Sequence, residues 1–144
     1  MSIAKIFSEY AQAFERVYEN DDWSKLDEFF APDAVYLPGD GKEVRGRDNI
    51  LAHLKQSLDS FDRRFDLRRV DLVSEPVVTA NQVTIQWRAA YEKRGLPDIV
   101  LCGSEEATFE GNAISRLEDS LVDGVEENLQ AWIDQYGDTL GISA

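Results

Sequence analysis

The sequence has very little of what binds metals or cross-links small domains. Only one of the 144 residues is a cysteine, Cys102, and only one is a histidine. No intramolecular disulfide can therefore form, and no paired Cys and His spacing typical of a zinc site is present. A chain of this length can bury a core that needs neither. We expect a protein without metal or cofactor, in a reducing compartment such as the cytoplasm.

Long apolar runs and an excess of basic charge are also absent. The N-terminal stretch MSIAKIFSEYAQAFERVYEN carries charges throughout, so we expect neither a signal peptide nor a membrane span there. Fifteen Lys and Arg stand against 28 Asp and Glu, a formal net charge of -13. Such a charge repels a phosphate backbone and an anionic membrane surface. Nucleic acid and membranes are therefore not expected partners.

The first third of the sequence has the spacing of helices. Apolar residues recur every three or four positions over residues 3–18, which predicts an amphipathic helix. Asp22 is placed to cap a second, shorter helix that ends near Pro32. After a short strand at residues 34–37, Asp48 is expected to cap a third helix. The apolar face of that helix has four members: Ile50, Leu51, Leu54 and Leu58.

The rest of the chain is dominated by strand patterns. Four segments rich in β-forming residues are separated by turn signals, and residues 125–136 have the spacing of a final helix. Helices followed by a strand meander predict an α+β fold with the helices packed on one face of an antiparallel sheet. No linker or repeat divides the chain, so we expect one domain over residues 1–144 with an extra C-terminal helix at about residues 124–137. The four strand segments are residues 65–73, 77–92, 99–109 and 113–122.

Three motifs give the element order a family resemblance. They are DDWSKLDEFFAPDAVY, the helix entry Gly46-Arg47-Asp48, and FEGNAISRLED. With this order of elements, roughly residues 3–122 resemble the NTF2-like superfamily and, more narrowly, its SnoaL-like group. The resemblance implies a cone in which a strongly curved sheet wraps around the N-terminal helices and leaves an internal pocket. It also implies a small hydrophobic ligand or substrate, and a homodimer through the convex face of the sheet.

Alternation along the strands separates the residues expected to face the pocket from those expected to face outward. Thr84, Gln86 and Arg88 share the outward face with Ala90, and this mixed face suits a dimer contact. On the last strand Arg116, Glu118 and Ser120 are assigned inward, unless a bulge inverts the choice. The other inward residues are Val83, Ile85, Trp87, Ala89, Tyr91, Glu105, Ala107 and Phe109. The predicted pocket lining is Phe14, Trp23, Tyr36, Trp87, Tyr91, Phe109 and Glu118, although its aromatic members also suit an ordinary core.

The resemblance to ketosteroid isomerases is partial. Where those enzymes have a catalytic tyrosine on the first helix, this chain has Phe14, and where they have an aspartate base after the first strand, it has Pro38. Glu105 falls near their third functional position, a carboxylic acid that donates a hydrogen bond to the oxyanion. Two of the three roles are missing, so isomerase chemistry of that kind is not expected.

Two further arrangements could carry proton transfer. Limonene epoxide hydrolases are similar in using a carboxylate-arginine-carboxylate cluster, and Arg116 with Glu118 could meet Glu105 in a cluster of that composition. An ordinary ion pair between neighbouring strands explains the same three residues. His53 lies at the edge of the third helix's apolar face, where it could exchange a proton near neutral pH. It could equally be a boundary residue with no chemical role.

Two classes of function therefore remain open. The first is a cofactor-independent cyclase, isomerase or hydrolase acting on a hydrophobic small molecule, with His53 and Glu105 transferring protons and Arg116 orienting them. The second is a non-catalytic module for ligand binding or dimerisation. A histidine that touches a carboxylate in an open cavity favours the first. A cavity filled by aromatic side chains such as Trp87 and Tyr91 favours the second.

Overall fold

The structure is a computed structural model that describes residues 2–142. Its first half contains α1 (Ile3–Asn20), a 3-10 helix (Trp23–Phe29), β1 (Phe30–Leu37), β2 (Val44–Arg45), α2 (Arg47–Ser60) and a second 3-10 helix (Asp62–Arg64). Its second half contains β3 (Leu67–Leu72), β4 (Val77–Thr79), β5 (Gln82–Glu92), β6 (Ile99–Glu110), β7 (Ala113–Leu121) and α3 (Val125–Leu140). Within residues 2–142, no helix combines the length and apolar character that crossing a membrane requires.

The strands form one curved, unclosed sheet around the N-terminal helices. Their order is β2-β1-β7-β6-β5-β3, and β4 pairs with β5. The β1–β7 pair is parallel, whereas the other neighbouring pairs are antiparallel. This mixed α+β cone confirms the fold that the sequence predicts.

Helical periodicity located the buried faces of α1 and α2 correctly. The α2 helix buries all four predicted apolar residues against the sheet. The α1 helix begins after Ser2, whose hydroxyl oxygen accepts a hydrogen bond from the Lys5 N–H at 3.2 Å. Its buried face consists of Ile6, Phe7, Tyr10, Ala13 and Val17.

Of the two predicted helix caps, Asp22 lies at the N-cap position but makes no capping bond, and Asp48 is not at the cap. The segment after Asp22 is a 3-10 helix, and the Asp22 side chain makes no capping hydrogen bond; it accepts one from the Ser24 hydroxyl at 2.7 Å. The α2 helix begins one residue before Asp48, which therefore lies in its first turn rather than at the cap. Asp22 thus occupies the cap position without capping the helix, whereas Asp48 lies two residues beyond the cap residue Gly46.

Two strand boundaries also differ from the sequence prediction. Pro32 lies inside β1 rather than ending the preceding helix, at a point where the register with β7 is irregular. A proline has no N–H to donate to a strand ladder, so it is tolerated where that ladder is interrupted. The segment 77–92 is split into a hairpin at Ala80, whose φ is 53°.

Two clusters of buried side chains make up the core. The larger one lies between α1, α2 and the concave face of β1 and β5–β7, where Val83, Ala107, Ile114 and Leu117 are fully buried. The smaller one lies between α3, the C-terminal end of β5 and the N-terminal end of β6. Its buried members are Phe65, Ala89, Tyr91, Ile99, Leu101, Trp132 and Leu140.

A glycine on β6 fixes the position of an aromatic side chain between these clusters. Gly103 pairs directly with Trp87 of β5. A Cβ at Gly103 would approach the Trp87 ring to 2.5 Å, so only glycine leaves room for the indole to lie across this strand. The Trp87 ring thereby packs on the concave face of the sheet.

Candidate functional site

A cavity of about 380 Å³ lies between α1, α2 and the concave face of the sheet. Val70 and Leu72 of β3 line it but are 38% and 53% exposed, so the cavity opens to solvent on that side. Its aromatic lining comprises Tyr10, Phe14, Tyr36, Trp87 and Tyr91. Its ionisable lining comprises Glu15, Asp62, Arg68, Asp71, Glu105 and Asp119.

Two carboxyl groups meet in this cavity. Glu105 of β6 and Asp119 of β7 are direct cross-strand partners, and their side chains are hydrogen bonded to each other. The Tyr36 hydroxyl donates a second hydrogen bond to Asp119 Oδ2 at 2.6 Å. A hydrogen bond between two carboxyl groups requires a proton on one of them, so the pair is arranged to hold one.

The surroundings of the pair favour a proton on Glu105. Burial raises the pKa of Glu105 well above its ordinary value, and the neighbouring Asp119 charge and hydrogen bond raise it further. Burial also raises the pKa of Asp119, but the hydrogen bonds from Glu105 and Tyr36 oppose that shift. Both side chains keep some solvent contact through the cavity, although protein atoms surround the carboxyl groups. We therefore assign the shared proton to Glu105 and the negative charge to Asp119, in a pair that titrates as one coupled unit.

Tyr10 of α1 adds a hydroxyl group without a protein partner. The residue is 4% exposed, and burial followed by the charges of Glu105 and Asp119 raises its pKa. Among the side-chain hydrogen bonds of residues 2–142, none involves the Tyr10 hydroxyl, although the side chain lines the cavity. The Tyr10 oxygen is not among the fully buried, unpartnered polar atoms of residues 2–142, so it reaches the cavity, where it is available to a bound molecule.

Arg68 is the centre of a second polar group on the cavity wall, and two carboxylates of the protein bind it. Arg68 Nε donates to Asp62 Oδ2 at 2.7 Å, and Arg68 Nη1 donates to Glu15 Oε1 at 2.7 Å. The Tyr91 hydroxyl also donates to Asp62 Oδ2, at 3.1 Å, and the guanidinium lies 4.6 Å from the centre of the Tyr18 ring. This network joins α1, the second 3-10 helix, β3 and β5.

The structure places the predicted site residues in two groups. Glu105, Phe14, Tyr36, Trp87 and Tyr91 line the cavity. The other five, His53, Trp23, Phe109, Arg116 and Glu118, are not part of its lining.

Three of those five lie close behind the cavity wall. His53 packs against the Tyr36 ring with their centroids 5.7 Å apart, rather than beside Glu105. Trp23 packs edge-on against Phe14, and Phe109 is buried in the larger core cluster. The expected histidine–carboxylate contact is replaced by the contact between Glu105 and Asp119.

Arg116 and Glu118 lie on the opposite face of the sheet from the cavity, so their inward assignment needs correction. The register of β6 and β7 shifts between Thr108 and Phe109, which inserts one extra residue into β7. The shift leaves Leu117 and Asp119 inward and turns Arg116 and Glu118 outward. They form an ion pair with each other at 3.2 Å and are 43% and 42% exposed. The epoxide-hydrolase-like cluster is therefore not assembled.

Sequence reasoning missed Asp119, and the sequence did contain a signal for it. Ile114 and Leu117, the apolar residues of the last strand, are three positions apart, which a regular alternation cannot place on one face. Both are nevertheless fully buried. That odd spacing indicates a bulge, and counting onward from Leu117 would have placed Asp119 in the cavity.

The raised pKa of Glu105 predicts a pH effect on stability. In the unfolded chain a glutamate titrates at about pH 4.3, whereas in the folded protein the raised pKa of Glu105 keeps its proton bound to higher pH. The folded state therefore binds more protons, and the free energy of unfolding must fall as pH rises above that value. Urea unfolding from pH 5 to 8 should show a smaller fall for Glu105→Gln than for the wild type. Parallel pH profiles for the two proteins would contradict the assignment of the proton to Glu105.

The fold and cavity define a domain of the NTF2-like class, and a family model makes the assignment narrower. Residues 11–125 match the model of the SnoaL-like domain, so the chain belongs to that family. The match begins within α1, covers α2 and the sheet, and ends where α3 begins. No curated protein matches the chain in sequence.

Solved structures resemble the chain in fold at low sequence identity. An NTF2-like protein of unknown function from Burkholderia pseudomallei is 16% identical, with a TM-score of 0.70 over 92% of this chain and 98% of that one. A candidate polyketide cyclase from Xanthomonas campestris is 24% identical, with a TM-score of 0.59 over 93% and 98%. A ketosteroid isomerase-like protein from Catenulispora acidiphila, solved with trimethylamine, is 18% identical, with a TM-score of 0.59 over 77% and 83%.

Proposed function

We propose that the protein is a cofactor-independent acid–base enzyme of the cyclase, isomerase or hydrolase type, acting on a hydrophobic small molecule. One observation carries the proposal: two hydrogen-bonded carboxyl groups, Glu105 and Asp119, line an open cavity with an aromatic wall. Pairs of carboxyl groups whose surroundings separate their protonation states supply an acid and a base at one place. The candidate polyketide cyclase among the structural neighbours is consistent with a small-molecule substrate.

The geometry gives each group a role. The Asp119 carboxylate, held by the Tyr36 hydroxyl, can accept a proton from a substrate carbon or from water. Protonated Glu105 and the Tyr10 hydroxyl can donate hydrogen bonds to an oxygen on which negative charge develops. Phe14, Trp87 and Ile85 provide an apolar surface for the rest of the substrate.

A non-catalytic binding module remains the second candidate. It is favoured by the position of His53, which lies against the Tyr36 ring instead of bordering the cavity with a carboxylate. The cavity is not filled by its aromatic lining, and Trp132, which could have plugged it, packs in the smaller core cluster. The two candidates differ in whether the carboxyl pair transfers protons.

Proton exchange on a simple ketone separates them. We expect the wild type to accelerate deuterium incorporation at the α-carbon of 2-tetralone in D₂O near neutral pD, followed by proton NMR. Removing either member of the pair, by Glu105→Gln or Asp119→Asn, should lower the enzyme-dependent rate by about 100-fold or more.

Glu106→Gln is the matched control. Glu106 follows Glu105 along β6 but lies on the outward face of the strand, where it pairs with Glu118. The substitution removes the same charge and should keep the wild-type rate. Equal exchange rates in the wild type, Glu105→Gln and Asp119→Asn would favour the binding module. Circular dichroism of each variant excludes unfolding as the cause of a lost rate.

We also propose a homodimer through the convex face of the sheet. Val100 is 38% exposed opposite Ala90, and Val77 is 59% exposed opposite Thr84. Exposed apolar side chains on a sheet face favour burial against a second copy. Sedimentation should show a dimer at micromolar concentration, and Val100→Glu should shift it toward monomer because a charge would be buried at the contact. A wild-type monomer under these conditions would refute the proposal.

A further inference from the structure

The carboxyl pair carries a negative charge that the protein does not neutralise. Two carboxyl groups that share one proton have a net charge of -1, and neither Glu105 nor Asp119 takes part in an ion pair within residues 2–142. In the described part of the chain, Arg68 is the only basic side chain lining the cavity, and it is already bound to Glu15 and Asp62. Buried charges in proteins are normally paired. A positive charge beside Asp119 would therefore have to come from a ligand.

Tyr10 supplies an independent sign of a ligand at the same place. Its side chain is 96% buried, since 4% is exposed, and its hydroxyl makes no hydrogen bond to the described part of the chain. Tyr10 lines the same cavity as Glu105 and Asp119, and the charges of those two groups raise its pKa. A group that donates hydrogen bonds could bind Asp119 and the Tyr10 oxygen together.

The remaining wall favours a cation as well. Phe14, Tyr36 and Trp87 present aromatic rings to the cavity, and the faces of such rings attract ammonium groups. The formal net charge of -13 adds attraction for cations over the whole molecule.

We propose that the ligand of this cavity is a hydrophobic amine whose ammonium group binds between the Asp119 carboxylate and the Tyr10 hydroxyl oxygen. Its apolar body lies against Trp87 and Phe14. The inference rests on the proposed function, since it names the class of ligand for the same cavity and carboxyl pair. An anionic ligand held by Arg68 is the opposite choice, and it would have to compete with Glu15 and Asp62 for that guanidinium.

Three probes of one shape test the inference by calorimetry at pH 7. They are 2-naphthylmethylamine, which is protonated at that pH, the neutral 2-naphthylmethanol, and the anionic 2-naphthoate. We expect the amine to bind at least about tenfold more tightly than the alcohol, which corresponds to about 1.4 kcal/mol, and the naphthoate to bind most weakly. Asp119→Asn should reduce the amine's affinity to that of the alcohol and leave the alcohol's affinity unchanged.

Glu106→Gln again serves as the control for loss of one negative charge, and it should retain the amine preference. The inference is overturned if the alcohol or naphthoate binds as tightly as the amine, if none of the three binds, or if Glu106→Gln acts like Asp119→Asn. The exchange assay on 2-tetralone is read separately. If the protein catalyses exchange but does not prefer the amine, the proposed enzyme activity stands and the amine ligand class is refuted. If the protein prefers the amine but does not catalyse exchange, the ligand class stands and the enzyme activity is refuted.

Discussion

Trp132→Ala is expected to lower the free energy of unfolding by about 3–5 kcal/mol, the range for removing a large buried aromatic side chain. Trp132 is 7% exposed and packs on Phe65, with ring centroids 5.6 Å apart. Its Nε1 donates a hydrogen bond to the Pro97 carbonyl oxygen at 3.2 Å. The substitution would open the contact between α3 and the sheet and expose the smaller core cluster, which urea unfolding would measure.

Two other substitutions on α3 make this measurement specific. Trp132→Phe keeps an aromatic ring and loses the hydrogen bond, so it should cost much less than Trp132→Ala. Gln130→Ala changes an exposed residue of the same helix, and its effect should stay within about 0.5 kcal/mol. If Trp132→Ala were as mild as Gln130→Ala, α3 would not be packed on the sheet in solution.

Arg68→Met should be comparably damaging, at about 3–5 kcal/mol, because it leaves a buried carboxylate without its cation. The Arg68 and Asp62 side chains are 7% and 14% exposed and are joined by a 2.7 Å ion pair. Methionine keeps most of the apolar stem, so the loss reports the charge rather than a cavity. Burial already raises the pKa of Asp62, and protonation of Asp62 at low pH should therefore narrow the gap to the wild type.

The adjacent residue provides the matched control for that experiment. Arg69 is 70% exposed, and its ion pair with Asp71 measures 3.6 Å. Arg69→Met should therefore cost about 0–1 kcal/mol. Adding Asp62→Asn to Arg68→Met should recover part of the stability, since the unpaired charge is then gone. Equal losses in Arg68→Met and Arg69→Met would show that the buried pair contributes no more than an exposed one.

The α3 helix lies beyond the residues that the family model matches, and it contributes to the smaller core cluster. The family model ends at residue 125, and α3 follows it directly. Trp132 and Leu140 of α3 cover Phe65, Tyr91 and neighbouring residues of the sheet. Tyr91 also lines the cavity and binds Asp62, so α3 supports one wall of the candidate site from behind.

The sequence by itself determined the helices and most of the strands, because these depend on short-range periodicity, and three motifs in that order of elements indicated the family. The apolar residues of α1 and α2 repeat with the helix period, so their buried faces could be read without knowing the partner surface. The same holds for β5, where Val83, Ile85 and Tyr91 are buried at alternate positions. Glu105 could be assigned to the cavity on this basis, since β6 is regular on both sides of it.

Only the tertiary structure decided which groups Glu105 meets. A single extra residue in β7 turns Arg116 outward and Asp119 inward, and its cause is the pairing of two strands rather than the composition of either. Arg68 likewise meets Glu15, 53 positions away along the chain, because the sheet brings β3 to α1. Local patterns fix the face of an element, whereas the site depends on register and long-range contact, which those patterns do not encode.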